Sequence, residues 1–166
     1  MKRKINVTIA EVITPQTIDL YLPVHLNKEG LLQYLASLIY NIGHISSQEE
    51  FLQAVYERES LGPTYMENFI AIPHGKSSSV LKATIAFGRS QQGIYYETAM
   101  GSGLAKLIFL LAIPQQMEAD EYIAVLAHLA RLLIHEEFCQ QLYQAQNYQD
   151  VYQAIAEGER WLETEE

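Results

Sequence analysis

The sequence contains only one cysteine, Cys139, among its 166 residues. This excludes an internal disulfide framework and a metal site built from several thiolates. Cys139 follows Phe138 in a helical pattern, where we expect a buried or half-buried thiol. Basic residues are also few, since 11 Lys and Arg stand against 20 Asp and Glu, for a net charge of −9. Because nucleic acids and anionic membranes bind basic surfaces, the composition argues against both as partners.

Long hydrophobic runs are missing from the sequence as well. The longest, Leu107 to Ile113, is far shorter than the roughly 20 residues that a membrane-spanning helix needs. The basic start of the chain, residues 1–4, is not followed by an apolar stretch, so we expect no signal peptide. Hydrophobic residues make up 49% of the chain, enough for a sizeable core. We therefore expect a single soluble, cytoplasmic domain over residues 1–166, without direct membrane insertion.

Several motifs that hold cofactors or nucleophiles do not occur. The chain has neither a Gly-rich phosphate loop nor a Gly-x-Ser-x-Gly nucleophile elbow. The histidines show no metal-ligand spacing, because His128 and His135 would lie roughly 10 Å apart along a helix. The sequence therefore predicts no metal and no cofactor.

Cap residues and hydrophobic periodicity predict helices in both halves of the chain. Asn27 is expected to cap a first helix that Gly43 ends. Ser47 and Glu50 have capping-box spacing, and the helix that they begin should break at Gly62 and the proline after it. Three more helices are predicted: one after Pro114, one around residues 136–143 and one around residues 150–156, before a frayed acidic tail.

Strand patterns lie mostly between these two groups of helices. Strands are predicted at Thr17–Leu22, Phe69–Ile72, Ala83–Phe87 and Gly93–Glu97, the last two joined in a hairpin by a turn around Gln91 and Gln92. The apolar run from Leu107 to Ile113 is predicted to be a central strand covered on both faces. The order predicts an α/β (α+β) fold, with a mixed, mostly central sheet of about five strands flanked by helices on both faces.

One segment, Asn-Phe-Ile-Ala-Ile-Pro-His-Gly-Lys at residues 68–76, carries candidate chemistry. Pro73 stiffens the chain just before His74, and Gly75 lets another surface approach closely. The pattern predicts an imidazole presented at the end of a strand, where it could act as a general base, a metal ligand or a phosphoryl acceptor. An ordinary histidine in a strand-to-loop turn is the alternative.

The phosphoryl interpretation gains support from Arg58. A guanidinium can hold phosphate through two parallel hydrogen bonds, and Thr64 could add a hydroxyl donor. Because phosphoryl transfer needs mainly positioning and charge neutralisation, such a set would suffice. Taken alone, Arg58 is better interpreted as a solvated residue late in a helix.

Together these residues resemble a known family. Arg58-Glu59, Gly62, Thr64 and Ala-Ile-Pro-His-Gly-Lys at residues 71–76 resemble the active-site stretch of fructose/mannitol-type enzyme IIA domains. These domains belong to the bacterial phosphoenolpyruvate-dependent sugar phosphotransferase system (PTS), which includes a nitrogen-regulatory branch. The resemblance extends over nearly the whole chain and includes the strand Ile108 to Pro114 with the Leu-rich helix after it.

The resemblance implies a function and partners. It implies that His74 accepts a phosphoryl group from the phosphohistidine of the carrier HPr and passes it to a cysteine of an enzyme IIB on a separate chain. That enzyme phosphorylates the sugar or polyol during uptake. The resemblance also implies that Arg58 clamps the phosphate and that Thr64 and Glu59 support the site, without metal or nucleotide.

One position departs from the family pattern. The family commonly has a second active-site histidine near the start of the helix that comes after the apolar strand, and the matching residue here is Tyr122. A phenol can donate a hydrogen bond to phosphate but stays uncharged at neutral pH. His128 does not replace the missing histidine, because it should face about 120° away from Tyr122 on the helix. We expect Tyr122 to border the site, the alternative being a place on the core face.

The resemblance is compatible with two main functions. The first is a phosphocarrier IIA component for uptake of fructose, mannitol or a related polyol. The second is a regulator of the nitrogen-related type, which binds other proteins in one phosphorylation state, since a phosphoryl group adds about two negative charges. A third possibility is a degenerate domain that keeps the fold but transfers slowly because Tyr122 replaces histidine.

Overall fold

The computed structural model describes residues 8–165, which form six helices and six strands. The basic residues 1–4 and the last residue of the acidic tail, which bear on the expected lack of a signal peptide and on the expected fraying, lie outside the described residues. The elements are α1 (Ile9–Val12), β1 (Ile13–Asp19), α2 (Lys28–Asn41), α3 (Gln48–Leu61), β2 (Tyr65–Met66), β3 (Ile70–Ala71), β4 (His74–Ser77), β5 (Thr84–Thr98), β6 (Gly101–Pro114), α4 (Ala119–Leu133), α5 (Glu136–Gln144) and α6 (Tyr148–Glu165).

The described chain divides into two compact units. Residues Thr14–Gln116 form the larger unit, which holds the sheet together with α2 and α3. The segments before and after it form the smaller unit, which consists of α1, α4, α5 and α6. Among the helices of residues 8–165, none is both long enough and apolar enough to cross a membrane.

The six described strands form one mixed sheet, as predicted for an α/β fold, with one strand more than expected. The strand order is β1-β5-β6-β3-β2, and β4 also pairs with β6. β5 and β6 form a long antiparallel hairpin, whereas β3 and β4 run parallel to β6. β6 therefore lies at the centre of the sheet.

The core of the larger unit explains why β6 reads as a continuous apolar run. Ile108, Leu110 and Ala112 belong to the apolar cluster that α2 and α3 form with the sheet. Phe109 lies on the opposite face of β6, where its ring stacks on Phe87 at 4.6 Å, and both rings are buried. Burial on both faces removes the polar alternation of a half-exposed strand. The predicted central strand is confirmed.

Both predicted helix caps in the larger unit are confirmed. The side chain of Asn27 accepts a hydrogen bond from the backbone amide of Gly30, and that of Ser47 accepts one from Glu50. Helix α2 ends just before Gly43, whose φ of 79° suits a residue without a Cβ. Each of these signals depends on residues only a few positions apart, so the sequence alone is enough to predict it.

The strand predictions need three corrections. β2 and β4 were not predicted. β1 covers Ile13–Asp19 rather than Thr17–Leu22. The predicted turn at Gln91 and Gln92 is wrong, because β5 continues through it and the chain reverses between Thr98 and Gly101 instead. The pairing register shifts between Arg89 and Ile94, and Gly93 there has a φ of 89°. The polar residues Gln91 and Gln92 therefore mark a bulge within one strand. Bulges and turns favour similar residues, so the sequence pattern does not distinguish them.

The smaller unit is organised around Glu159 of α6. This buried carboxylate accepts hydrogen bonds from the backbone amides of Ile9 and Ala10, at 3.0 and 2.9 Å, and its Oε2 lies 3.4 Å from His128 Nε2. α1 was not predicted, and α6 continues to Glu165 instead of fraying near residue 156. A buried carboxylate that binds a distant backbone explains why sequence periodicity missed both features.

Candidate active site

Strands β3 and β4 pair with β6 one after the other, with a short interruption between them. His74 is the first residue of β4, directly after this interruption. β3 and β4 share one parallel register, with Ile70 opposite Leu107 and His74 opposite Leu111. Pro73 lies in the interruption, and its carbonyl still accepts a hydrogen bond from the amide of Leu111 at 3.0 Å. The rigid proline thus holds the chain against β6 immediately before His74. The imidazole is therefore carried by the centre of the sheet and not by a free loop.

The hydrogen bonding of His74 determines its tautomer. Nδ1 lies 3.0 Å from the carbonyl oxygen of Ile72. Because a carbonyl only accepts, Nδ1 carries the proton and donates it, and Nε2 is left with a lone pair. Burial lowers the pKa of His74 from its ordinary 6.5, and the charge of Arg58 adds to this, while the bond to Ile72 and the charge of Glu59 oppose it. The ring is therefore neutral, and Nε2 is nucleophilic, at pH 7.

Gly75 allows helix α3 to approach this strand. A Cβ at Gly75 would lie 2.8 Å from Val55 Cγ2 and 2.9 Å from the backbone nitrogen of Val55. Arg58 and Glu59 lie about one helical turn beyond Val55, so they share its side of α3. The close approach expected at Gly75 therefore exists, and it positions the end of α3 relative to His74.

Arg58 is half-buried near the C-terminus of α3. Its Nη1 donates a hydrogen bond to the carbonyl of Gly62 at 3.0 Å, which ties the guanidinium to the loop that ends the helix. A cation here also interacts favourably with the negative end of the helix dipole. Its positive charge also contributes to lowering the pKa of His74, after the larger effect of burial.

Glu59 is the centre of a buried polar network. Its Oε1 accepts hydrogen bonds from the hydroxyl of Thr64 and, at 3.0 Å, from the hydroxyl of Tyr96. Its Oε2 lies 2.8 Å from Lys28 Nζ but accepts no hydrogen bond from the described residues, so the Lys28 contact is an ion pair with poor hydrogen-bond angles. Burial and the carboxylate of Glu59 raise the pKa of Tyr96, which keeps its hydroxyl protonated as a donor.

Two members of this network, Lys28 and Tyr96, were not predicted. Both carry signals in the sequence. Tyr96 occupies the inward position two residues after Ile94 on a strand, and a buried tyrosine hydroxyl needs a partner. Lys28 stands at the first position of a helix, where the helix dipole disfavours a cation. Neither signal names the partner, which comes from a distant part of the chain.

Tyr122 lies in the first turn of α4, within the smaller unit, and is half-buried. The buried positions of α4 are Val125, Leu129, Leu132 and Leu133, and at about 100° per residue Tyr122 lies on the same side of the helix as Leu129 and Leu133, as the core-face alternative expects. Its place beside the site stays a prediction. His128 contacts Glu159 in the same unit, and Cys139 is buried in α5, as expected for a structural thiol.

Comparison with known proteins identifies the family. A family model described as "Phosphoenolpyruvate-dependent sugar phosphotransferase system, EIIA 2" matches residues 11–158. Over 153 residues the chain is 35% identical to the PTS system fructose-specific EIIA component of Haloferax volcanii, and the match covers 92% of this chain and 97% of that protein.

Two solved structures agree with this assignment. The Nitrogen Regulatory Protein IIA-Ntr from Neisseria meningitidis matches with a TM-score of 0.78 and 26% identity, over 89% of this chain and 98% of that one. Enzyme IIAMtl from Escherichia coli, solved in complex with phosphorylated enzyme IIBMtl, matches in fold with a TM-score of 0.69 and 24% identity, over 87% and 96% of the two chains. The chain therefore belongs to the EIIA 2 family of the phosphoenolpyruvate-dependent sugar phosphotransferase system.

Proposed function

We propose that this protein is a phosphocarrier, which accepts a phosphoryl group on Nε2 of His74 from phospho-HPr and passes it to a cysteine of a separate enzyme IIB. The observation that carries the proposal is the hydrogen bond from Nδ1 to Ile72, which leaves Nε2 as the nucleophile of a neutral ring. Membership of the EIIA family supplies the class of reaction. Residues 1–166 would form one IIA domain and act in the cytoplasm, where HPr could reach His74.

The transfer can be written as an exchange of one bond for another. The lone pair of His74 Nε2 attacks phosphorus while the P–N bond of phosphohistidine on HPr breaks, and HPr recovers its imidazole lone pair. The His74 ring then carries positive charge with its proton still on Nδ1, and the carbonyl of Ile72 accepts from that proton. In the second step a thiolate of enzyme IIB attacks phosphorus, an S–P bond forms, and Nε2 leaves as the neutral ring.

The neighbouring residues have distinct proposed roles. Arg58 would bind the oxygens of the phosphoryl group, since a guanidinium offers paired donors and a permanent charge. The hydroxyl of Thr64 donates a hydrogen bond to Glu59. We therefore assign Thr64 to holding that carboxylate and not to binding the phosphate itself. Tyr122 would donate a hydrogen bond at the edge of the site, in place of the family's second histidine.

The proposal can be tested by reconstituting the phosphoryl chain. The protein is incubated with phosphoenolpyruvate, enzyme I and HPr, and its intact mass is measured. We expect a gain of one acid-labile phosphoryl group, which His74→Ala abolishes. His25→Ala, which removes an exposed histidine, serves as the matched control and should keep the gain. If the wild-type protein gains no phosphoryl group from any HPr tested, the proposed function is wrong.

A second candidate is a regulator whose binding partner depends on its phosphorylation state. The likeness to Nitrogen Regulatory Protein IIA-Ntr favours it. The two functions share the chemistry at His74 and differ in the fate of the phosphoryl group. Loss of that group upon addition of candidate enzyme IIB proteins would support the carrier, as would sugar phosphorylation by the assembled system. Phosphoprotein that is stable towards every IIB, together with a partner bound in only one state, would support the regulator.

A further inference from the structure

Lys28 is placed where local structure disfavours it. It is the first residue of helix α2, next to the cap Asn27, where the positive end of the helix dipole repels a cation. Its side chain is only 21% exposed, so solvent does not fully compensate for this position. A mostly buried cation at a helix N-terminus is retained where other groups stabilise it.

Three contacts stabilise the ammonium of Lys28. Its Nζ lies 2.8 Å from Oε2 of Glu59, donates to the backbone carbonyl of Glu97 at 2.5 Å, and lies 4.4 Å from the ring centroid of Tyr96. The partners come from α3 and β5, so Lys28 joins three elements of the larger unit. Two of them, Glu59 and Tyr96, also bind each other, which makes the arrangement a closed network.

Glu59 creates an electrostatic problem for the proposed reaction. Its side chain is only 8% exposed, and its negative charge acts on the His74 ring together with the positive charge of Arg58. A phosphoryl group that arrives at His74 adds about −1.5 to −2 charges to this site. Because buried charges are poorly screened, an unbalanced carboxylate here would oppose the phosphoryl group.

We propose that Lys28 is a positioning residue for phosphoryl transfer: its ammonium balances the charge of Glu59, so that Glu59 holds Thr64 and Tyr96 in place without repelling the phosphoryl group at His74. This inference rests on the proposed phosphocarrier function. Lys28 acts through Glu59 and does not itself touch the phosphoryl group in this scheme.

The central test is a double-mutant cycle between Lys28 and Glu59, measured as the rate of phosphorylation by phospho-HPr. Lys28→Met leaves a buried carboxylate without its cation, and we expect at least a roughly tenfold lower rate at saturating HPr, with little change in KM. Adding Glu59→Gln removes the unbalanced charge, so the double variant should recover to within about threefold of Glu59→Gln alone. Lys28→Arg, which keeps the charge, should retain most of the wild-type rate.

Two controls separate this role from a structural one. Lys82→Met removes a positive charge from an exposed lysine of the same unit and should leave the rate unchanged. Thermal unfolding checks that each variant is folded. If Lys28→Met does not fold, Lys28→Gln replaces it, because a glutamine keeps a hydrogen-bond donor, on a side chain one atom shorter, and loses the charge.

The outcomes test the role of Lys28 separately from the proposed phosphocarrier function. A folded Lys28→Met or Lys28→Gln protein with the wild-type rate overturns the role of Lys28 while the phosphocarrier function stands. A slow Lys28→Met protein that Glu59→Gln fails to rescue also overturns it, because charge balance is then not the cause. If the wild-type protein accepts no phosphoryl group, both proposals fall together.

Discussion

Replacing Gly75 by alanine should displace helix α3 from the strand that carries His74. The added Cβ would meet Val55 Cγ2 at 2.8 Å and the backbone nitrogen of Val55 at 2.9 Å. A side chain can rotate away from such a contact, but a backbone atom can move only with its helix. Ordinary contacts between these atoms lie at about 3.4 Å or more, so α3 must shift by roughly half an ångström.

This shift should change both stability and rate. Overpacking of a well-packed core typically costs about 1–3 kcal/mol, which for a chain of this size lowers Tm by about 2 to 12 °C. Because Arg58 and Glu59 lie about one turn beyond Val55, they move with the helix. Misplacement of a catalytic group by about 1 Å can reduce a rate a hundredfold, so we expect phosphorylation of His74 to slow by about tenfold for the smaller displacement.

The assay combines thermal unfolding with the rate of phosphorylation by phospho-HPr. Gly158→Ala in α6 is a matched control, because the three atoms nearest to its Cβ all belong to side chains, with Leu132 Cδ2 at 2.7 Å and Phe138 Cδ1 at 3.5 Å, and a leucine side chain can rotate away. Val55→Ala should not rescue Gly75→Ala, since the contact with the backbone nitrogen remains. A Gly75→Ala protein with unchanged Tm and unchanged rate would refute the close packing of α3 against Gly75.

Three further predictions concern the charges around His74. Arg58→Lys keeps a cation but loses the paired donors and the bond to Gly62, so phosphorylation by phospho-HPr should slow by about 10- to 100-fold, and a wild-type rate would exclude Arg58 as the phosphate clamp. The folded protein lowers the pKa of His74 below its ordinary 6.5, so the NMR titration midpoint of its ring should fall below that value. Protonation then favours the unfolded chain, so the contribution of His74 to stability should decrease as the pH falls below 6.5, and a midpoint above 6.5 would contradict the neutral nucleophile. Tyr122→His should raise the phosphorylation rate if residue 122 borders the site, whereas identical rates for Tyr122→His, Tyr122→Phe and the wild type would place it elsewhere.

The predictions from sequence that were confirmed depend on interactions that are short-range or that repeat along one element. The caps Asn27 and Ser47 each bind an amide three residues ahead, so their partners lie in the same few letters of sequence. β6 was predicted because burial on both faces leaves a continuous apolar run. The Pro73-His74 pair likewise has a local consequence, since the Nδ1 bond goes to Ile72, only two residues away.

The predictions from sequence that were wrong concern segments whose structure depends on a partner remote in the chain. Gln91 and Gln92 favour a turn, yet β6 pairs with β5 on both sides of these residues, and a bulge at Gly93 absorbs the extra residues. The end of α6 looked too acidic to persist, but Glu159 is buried against the backbone of Ile9 and Ala10. In both cases the stabilising partner is remote in sequence.

The sequence by itself determined the chemistry of the candidate site: an imidazole behind a rigid proline, an arginine late in a helix, and the motifs that resemble the enzyme IIA family. Only the tertiary structure decided which groups surround that imidazole. Lys28, Glu59 and Tyr96 come from α2, α3 and β5 and meet only in the folded chain, and Gly75 lets α3 approach β4 closely. Periodicity shows which face a residue occupies but not which remote side chain it will contact, so the charge balance around Glu59 emerges only once the chain is folded.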